Sequence, residues 1–146
     1  MSFDDKLRPH LEGLLEPGET LEGVCACSQQ KGLFSGGAVA LGITPRRLLV
    51  QSLTRRGDPE GEAQSIRPAD IADAKADGAG GGWAEIGPAI LDETAVKVTL
   101  KLTDGEKLRL MMMRDGGPMG LGGGESQRQG VQALAAWFDR AGRGGN

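Results

Sequence analysis

The sequence predicts a mainly β protein with flanking helices (α+β): a small antiparallel barrel capped by a C-terminal helix, with a short helix at the N-terminus. Three observations lead to this fold class. Apolar residues alternate with a period of two from residue 20 onward, Asp104-Gly105 joins two such runs, and the C-terminal segment carries an apolar stripe at helical spacing. A chain of 146 residues has the length of one domain, which we expect to span 1–146.

The N-terminal segment is expected to form a helix over about residues 2–15. Ser2 can cap this helix, with Asp5 three residues later. Pro9 either bends the helix or marks the start of its regular part, because proline lacks a backbone donor and disfavours a helical residue before it. The apolar residues that recur on one helical face are Phe3, Leu7, Leu11 and Leu14.

The strands of the barrel are expected between about residues 20 and 114. The first strand places four small or apolar residues on one face: Leu21, Gly23, Cys25 and Cys27. The following strands are expected at 38–43, 48–53, 63–66 and 71–76. The run 48–53 is apolar on both faces, whereas 77–88 contains a glycine cluster and is expected to be a loop.

The strongest local signal is a hairpin formed by residues 95–103 and 107–113. Asp-Gly is favoured in two-residue hairpin turns, because both central positions need positive φ. Alternation directs one set of side chains to the core: Val96, Val98, Leu100, Leu102, Leu108, Leu110 and Met112.

A glycine-rich connector over 115–125 leads to the predicted C-terminal helix over about 126–141. Ser126 and Gln129 form a capping-box pattern at its start. Its apolar stripe is broad enough to cover the open end of a sheet. The stripe consists of Val131, Leu134, Ala135, Trp137, Phe138 and Ala141.

Five stretches of the sequence resemble the bacterial pleckstrin-homology-like (PH-like) domains. They are LEPGETL (15–21), GAVALGITPRRLLV (37–50), IRPADIADAKAD (66–77), VKVTLKLTDGEKLRLMM (96–112) and QALAAWF (132–138). The resemblance implies a barrel of about seven strands capped by one C-terminal helix. It also implies a scaffold that binds proteins or lipids and carries out no reaction, although fold alone does not select the ligand.

The composition argues against catalysis, metals and cofactors. His10 is the sole histidine, and we interpret it as a helix residue that is hydrogen-bonded or solvated. Cys25 and Cys27 are interpreted as reduced core residues, because two cysteines and one distant histidine cannot complete a zinc site. The glycine-rich segments match neither of the two glycine-rich phosphate-binding motifs, GxxxxGK(S/T) and GxGxxG. We therefore predict no enzyme, no cofactor and no metal.

Charge and hydropathy limit the partners. A formal charge of −3 gives the whole molecule no attraction to nucleic acid. No stretch approaches the ~18 apolar residues of a membrane span, and the N-terminus lacks the features of a signal peptide. We therefore predict a cytoplasmic protein without a transmembrane segment.

The hairpin carries the first candidate interaction surface. Lys97, Lys101, Lys107 and Arg109 face outward around Thr99. Such a face either binds an anion or an acidic partner, or is a solvated surface whose like charges discourage edge pairing.

Methionines and one loop supply the other candidates. Met111 and Met113 face outward and suit either protein binding and self-association or packing under the connector. In the loop between the first two strands, Lys31 is the one basic residue, with Leu33 and Phe34 at the tip. Lipid-binding members of the resembled fold carry several basic residues there, so this loop argues against phosphoinositide recognition. Its apolar tip either touches a membrane or partner, or folds back on the barrel.

These observations predict a non-enzymatic binding module. A protein partner or self-association is the favoured function, and peripheral binding of anionic lipid is the alternative. A small-ligand carrier or enzyme that uses the mouth of the barrel is a third interpretation, which the lack of histidine and tyrosine disfavours.

Overall fold

The computed structural model describes residues 3–30, 36–54, 56–76, 83–92, 95–113 and 124–144. Three helices are described: α1 (Phe3–Glu12), α2 (Trp83–Asp92) and α3 (Gly124–Gly144). The described strands are β1 (Gly23–Gln30), β2 (Gly36–Ile43), β3 (Leu48–Ser52), β4 (Gln64–Ile66), β5 (Ile71–Ala76), β6 (Ala95–Leu102) and β7 (Lys107–Met113). A single 3-10 turn, Pro68–Asp70, is described between β4 and β5.

The described strands form one antiparallel sheet in the order β4-β3-β2-β1-β7-β6-β5. The sheet curls as a half-barrel, and β4 and β5 are its two edges. The predicted fold class, mainly β with flanking helices, is confirmed, as are the N-terminal and C-terminal helices. The predicted hairpin is also present, with Gly105 at a φ of 95°. Its turn is one residue longer than the two-residue Asp-Gly turn expected, because the backbone N–H of Leu102 donates to the carbonyl of Glu106 and residues 103–105 form the loop.

The inner face of the sheet packs against α2 and α3 and forms the main core. Cys25 and Cys27 are fully buried in it, which raises the pKa of Cys25 to about 12 and that of Cys27 well above its ordinary value. Trp137 and Phe138 are buried on α3 with their rings edge to face, 5.3 Å between centroids. The apolar stripe predicted for the C-terminal helix therefore covers the sheet.

A second apolar cluster lies on the outer face of β1, β2 and β3, under α1. It is formed by buried residues of the helix, of the strands and of the segments next to them: Leu7, Leu11, Leu21, Val24, Ala38, Ala40, Leu49 and Leu53. This packing explains why the sequence of β3 is apolar on both faces, since one face meets the main core and the other meets α1. The outer face of the sheet is thus covered by α1 at β1 to β3.

Helix α3 also completes hydrogen bonds that β1 lacks. The pairing of β1 with β7 begins at Cys27, so the preceding residue has no β7 partner. There the amide of Gln127 takes the place of a strand: the backbone N–H of Ala26 donates to its Oε1 (2.9 Å), and its Nε2 donates to the carbonyl of Ala26 (3.0 Å). Gly130 makes this approach feasible, because a Cβ there would overlap the carbonyl oxygen of Val24.

The prediction of a loop over 77–88 is wrong in its second half, where α2 begins at Trp83. Pro88 lies inside this helix, and an interior proline costs about 3 kcal/mol. Burial of Ile86 and Ile90 contributes about 1.5–3 kcal/mol for each side chain, which offsets that cost. Gly87 lets α2 approach α3 closely, because a Cβ there would lie 3.1 Å from the carbonyl oxygen of Ala135. Residues 77–82 lie outside the described residues.

Candidate functional site

A groove of about 510 Å³ crosses the outer face of the sheet where α1 does not cover it. It lies on β1, β7, β6 and β5, on the opposite side of these strands from the main core. Side chains reach it because alternate residues of a strand point to opposite faces, so the residues between the buried aliphatic ones line the groove. The lining residues are Gln30, Asp73, Lys75, Lys97, Thr99, Lys101, Lys107 and Arg109.

The strand register arranges these residues in cross-strand rows. One row runs through Lys107, Lys101 and Asp73. The next row runs from Gln30 on β1 through Arg109 and Thr99 to Lys75 on β5. Directly opposed residues have Cβ atoms about 4.5–5.5 Å apart, so the charged groups of one row lie within reach of a single ligand.

The groove concentrates positive charge. Its described lining has five cations and one acid, a formal charge of +4. The whole chain has a formal charge of −3, so the remaining residues carry −7. Within the part of the chain that the structure describes, none of the five cations forms an ion pair. Charge in this chain is therefore unevenly distributed, and the described groove is a surface that attracts anions.

The structure brings together the five residues of the cationic face that the sequence predicted on the hairpin: Lys97, Thr99, Lys101, Lys107 and Arg109. Three lining residues were missed, namely Gln30, Asp73 and Lys75. Lys75 could have been found from the alternation in IADAKA, where Ala74 and Ala76 are buried and the residue between them is exposed. A register shift between Ile71 and Asp73 hides which residues of β5 face which partners on β6.

Among the other predicted site residues, the described side chain of Met111 is not part of the groove lining. Met111 lies on the same outer face, opposite Lys97 on β6 and Ser28 on β1, and is 36% exposed. Met113 pairs with Ala95 at the end of the ladder, and its side chain lies outside the described residues. The loop tip with Lys31, Leu33 and Phe34 lies outside the described residues as well.

A second polar cluster joins the two turns that flank the strand pair β1–β2. The Arg47 guanidinium donates from Nε to Glu19 Oε2 (2.9 Å) and from Nη2 to Glu19 Oε1 (2.8 Å). Thr44 Oγ1 lies 2.9 Å from Glu19 Oε2 and accepts from the backbone N–H of Arg47. The Arg47 side chain also donates to the carbonyl of Leu14 and to Ser65 Oγ. The cluster thus joins the LEPGETL and TPRR segments. Its polar groups are hydrogen-bonded to one another and to the backbone, so we assign the cluster a structural role.

Protonation of Glu19 is expected to weaken the fold. The hydrogen bonds from Arg47 lower the pKa of Glu19 from 4.5 to about 2 in the folded protein. Because the folded pKa is depressed, the stabilisation is complete above about 4.5 and is lost as the pH falls toward 2. Urea unfolding measured across this interval should show the decline, and Glu19→Gln should flatten it. If the free energy of unfolding of Glu19→Gln falls with pH as steeply as that of the wild-type protein, the acid sensitivity arises from other carboxylates.

The remaining reactive side chains also have structural contacts. His10 on α1 is half-buried, and its Nε2 donates to Gln51 Oε1 (3.0 Å), which links α1 to β3. Gln51 Nε2 in turn donates to carbonyls of the segment that follows β3, including those of Glu60 and Gly61. The described residues contain no group of His, Cys, Asp or Glu side chains arranged to hold a metal ion. No described helix is long and apolar enough to cross a membrane.

Comparison with solved structures supports the fold. The C-terminal domain of an unknown protein from Leishmania infantum aligns with a TM-score of 0.53 at 19% identity, over 94% of this chain and 98% of that one. The hSac2 domain from human phosphoinositide phosphatase Sac2 aligns with a TM-score of 0.55 at 12% identity, over 98% of this chain and 82% of that one. At these identities the likeness concerns the fold alone.

The DH/PH domains of p115-RhoGEF align over 94% of this chain and 36% of that one, at 11% identity. Their TM-score of 0.44 does not by itself establish a shared fold. No protein-family model matches the chain, and no curated protein matches it by sequence. The resemblance to bacterial PH-like domains therefore stays a resemblance of sequence motifs.

Proposed function

We propose that this protein is a non-enzymatic binding module that docks an acidic segment of a protein partner in the groove on β1, β7, β6 and β5. The observation that carries the proposal is the set of five cations that line the groove and form no ion pair among the described residues. Like charges held this close repel one another, and an acidic ligand relieves that repulsion as it binds.

A protein segment suits the groove better than a membrane surface does. A flat anionic membrane meets a broad area of the protein, and the chain outside the groove has a net formal charge of −7, which opposes that approach. An extended peptide enters the groove alone. Its alternate side chains repeat about every 6.8 Å, the same spacing that separates Lys107 from Arg109 along β7.

A short peptide with glutamate at every second position and a central serine tests the proposal. We expect it to bind the wild-type protein in a fluorescence anisotropy titration, with affinity that falls as salt is raised. The double variant Lys101→Glu and Lys107→Glu reduces the formal charge of the groove from +4 to zero, and we expect about tenfold weaker binding.

The matched control is Arg56→Glu, which reverses a charge in the loop between β3 and β4, outside the groove lining. It should leave peptide affinity unchanged, and circular dichroism should show that all variants are folded. Equal affinity of the peptide for the wild-type protein and the double variant would refute a docking role for the groove. Stronger binding to vesicles of phosphatidylcholine and phosphatidylserine than to the peptide would favour the lipid alternative.

A further inference from the structure

Thr99 lies at the centre of the cationic groove, with a basic residue on each of four sides. Arg109 on β7 and Lys75 on β5 are its directly opposed neighbours. Lys97 and Lys101 lie two residues before and after it on β6, on the same face of the sheet. Thr99 is half-buried, and no described residue accepts a hydrogen bond from its hydroxyl.

This cross-shaped arrangement has the dimensions of a seat for one compact anion. Directly opposed residues have Cβ atoms about 4.5–5.5 Å apart, and residues two apart along a strand are separated by about 6.8 Å. Long lysine and arginine side chains span these distances, so the four charged ends can converge above one hydroxyl. The hydroxyl supplies a neutral donor at the floor of the seat.

A carboxylate would leave some of the donors and positive charges of this site without a partner. It carries one negative charge on two oxygens, whereas a phosphate monoester carries about −1.5 to −2 at neutral pH and presents three terminal oxygens. Four cations and one hydroxyl donor suit the second ligand better, because it brings more negative charge and one more terminal oxygen than a carboxylate. Arg109 can donate two parallel hydrogen bonds to it, which strengthens and orients the contact.

We propose that the groove recognises a phosphorylated side chain within an acidic protein segment, with the phosphate seated over Thr99 among Lys75, Lys97, Lys101 and Arg109. This inference rests on the proposed function and adds the chemical class of the central ligand group. The segment lies along the groove, and its flanking carboxylates meet the outer cations such as Lys107. Met111, exposed beside Lys97 at the end of the groove, offers apolar contact for a neighbouring side chain of the segment.

The test compares the glutamate–serine peptide with the same peptide carrying phosphoserine at the centre. We expect the phosphoserine peptide to bind the wild-type protein about tenfold more tightly than the serine peptide. This is the gain expected from one additional set of charge-assisted hydrogen bonds. Thr99→Val removes the hydroxyl and keeps the branched shape that suits a strand. It should reduce the ratio of the two peptide affinities about fivefold, because the hydroxyl contributes more to binding of the phosphoserine peptide than to binding of the serine peptide.

Thr103→Val is the matched control, because Thr103 is an exposed residue of the adjoining turn and does not line the groove. It should preserve the full preference for phosphoserine. Equal affinity of the two peptides for the wild-type protein overturns the phosphate seat, while binding of both to the groove leaves the proposed docking function intact. Vesicles of phosphatidylcholine with phosphatidylinositol 4-phosphate supply the same phosphate monoester on a membrane. Tighter, Thr99-dependent binding to those vesicles than to the phosphoserine peptide overturns the assignment to a protein segment.

Discussion

Arg47→Ala is expected to lower the free energy of unfolding by about 3–5 kcal/mol, the cost of removing one partner from a buried ion pair. The Glu19 side chain has no solvent exposure, and that of Arg47 has 11%. Without the guanidinium, the Glu19 carboxylate stays buried with the Thr44 hydroxyl as its remaining side-chain donor. The carbonyl of Leu14 and Ser65 Oγ also lose their contacts with the guanidinium. Urea unfolding followed by tryptophan fluorescence at neutral pH measures the effect.

Arg46→Ala is the control for the loss of a positive charge in the same turn. The Arg46 side chain is 58% exposed, and its nearest carboxylate oxygen, on Glu16, is 3.9 Å away. Exposed pairs of this kind contribute about 0–1 kcal/mol, so the unfolding midpoint of Arg46→Ala should stay close to that of the wild-type protein. Equal stability losses in the two variants would mean that the turn responds to net charge and not to the buried pair.

Gly130→Ala is expected to cost about 3 kcal/mol or to prevent folding, at or above the upper end of overpacking penalties. A Cβ at this position would overlap the carbonyl oxygen of Val24 and lie 2.6 Å from its carbonyl carbon and 2.9 Å from Cys25 Cβ. Backbone atoms in the middle of a sheet cannot rotate away as a flexible side chain can. Helix α3 must therefore move outward, which also pulls the Gln127 amide away from Ala26.

Gly37→Ala supplies the matched control for this change. Gly37 is exposed on β2, and a Cβ there would meet no heavy atom within 4 Å. Its stability should equal or slightly exceed that of the wild-type protein, because alanine reduces the conformational freedom of the unfolded chain. If Gly130→Ala unfolds at the same urea concentration as Gly37→Ala, the close approach of α3 to β1 is wrong.

Local sequence patterns correctly predicted the elements in which strand alternation or helical periodicity continues over many residues. In the hairpin, aliphatic and polar residues alternate along both strands, and Gly105 is suited to the turn. The predicted pairing of the two strands and the predicted faces of their side chains therefore agree with the structure. In α3, Trp137, Phe138 and Leu134 recur at helical spacing, and burial follows the pattern. Both elements combine local preference with a long apolar face, and in such cases packing reinforces the local choice.

Elements held mainly by tertiary contacts were harder to predict. The Gly87-Pro88 pair in α2 opposes a helix locally, and the helix exists because Ile86 and Ile90 are buried against the core. The same holds for the second apolar cluster: periodicity in α1 predicted a helix but could not identify the outer face of β1, β2 and β3 as its partner. A local pattern describes which face of a segment is apolar and carries no information about what covers it.

The candidate site divides in the same way. The cations of the hairpin were predicted to share one face because alternation along two paired strands determines it. Lys75 and Gln30 joined them through the pairing of β5 with β6 and of β1 with β7, which links residues far apart in the chain. The four-sided setting of Thr99 arises from those long-range pairings.

By itself, the amino-acid sequence determined a mainly β chain with a C-terminal helix, two buried thiols and an outward row of cations on one hairpin. Only the tertiary structure decided that Arg47 and Glu19 form a buried pair, that α3 lies against β1 at Gly130, and that β5 and β1 extend the cationic face into a groove. The physical reason is that alternation and helical periodicity act within a few residues. Ion pairs, close backbone approaches and grooves depend on which distant segments meet, and that is settled by how the apolar faces are buried together.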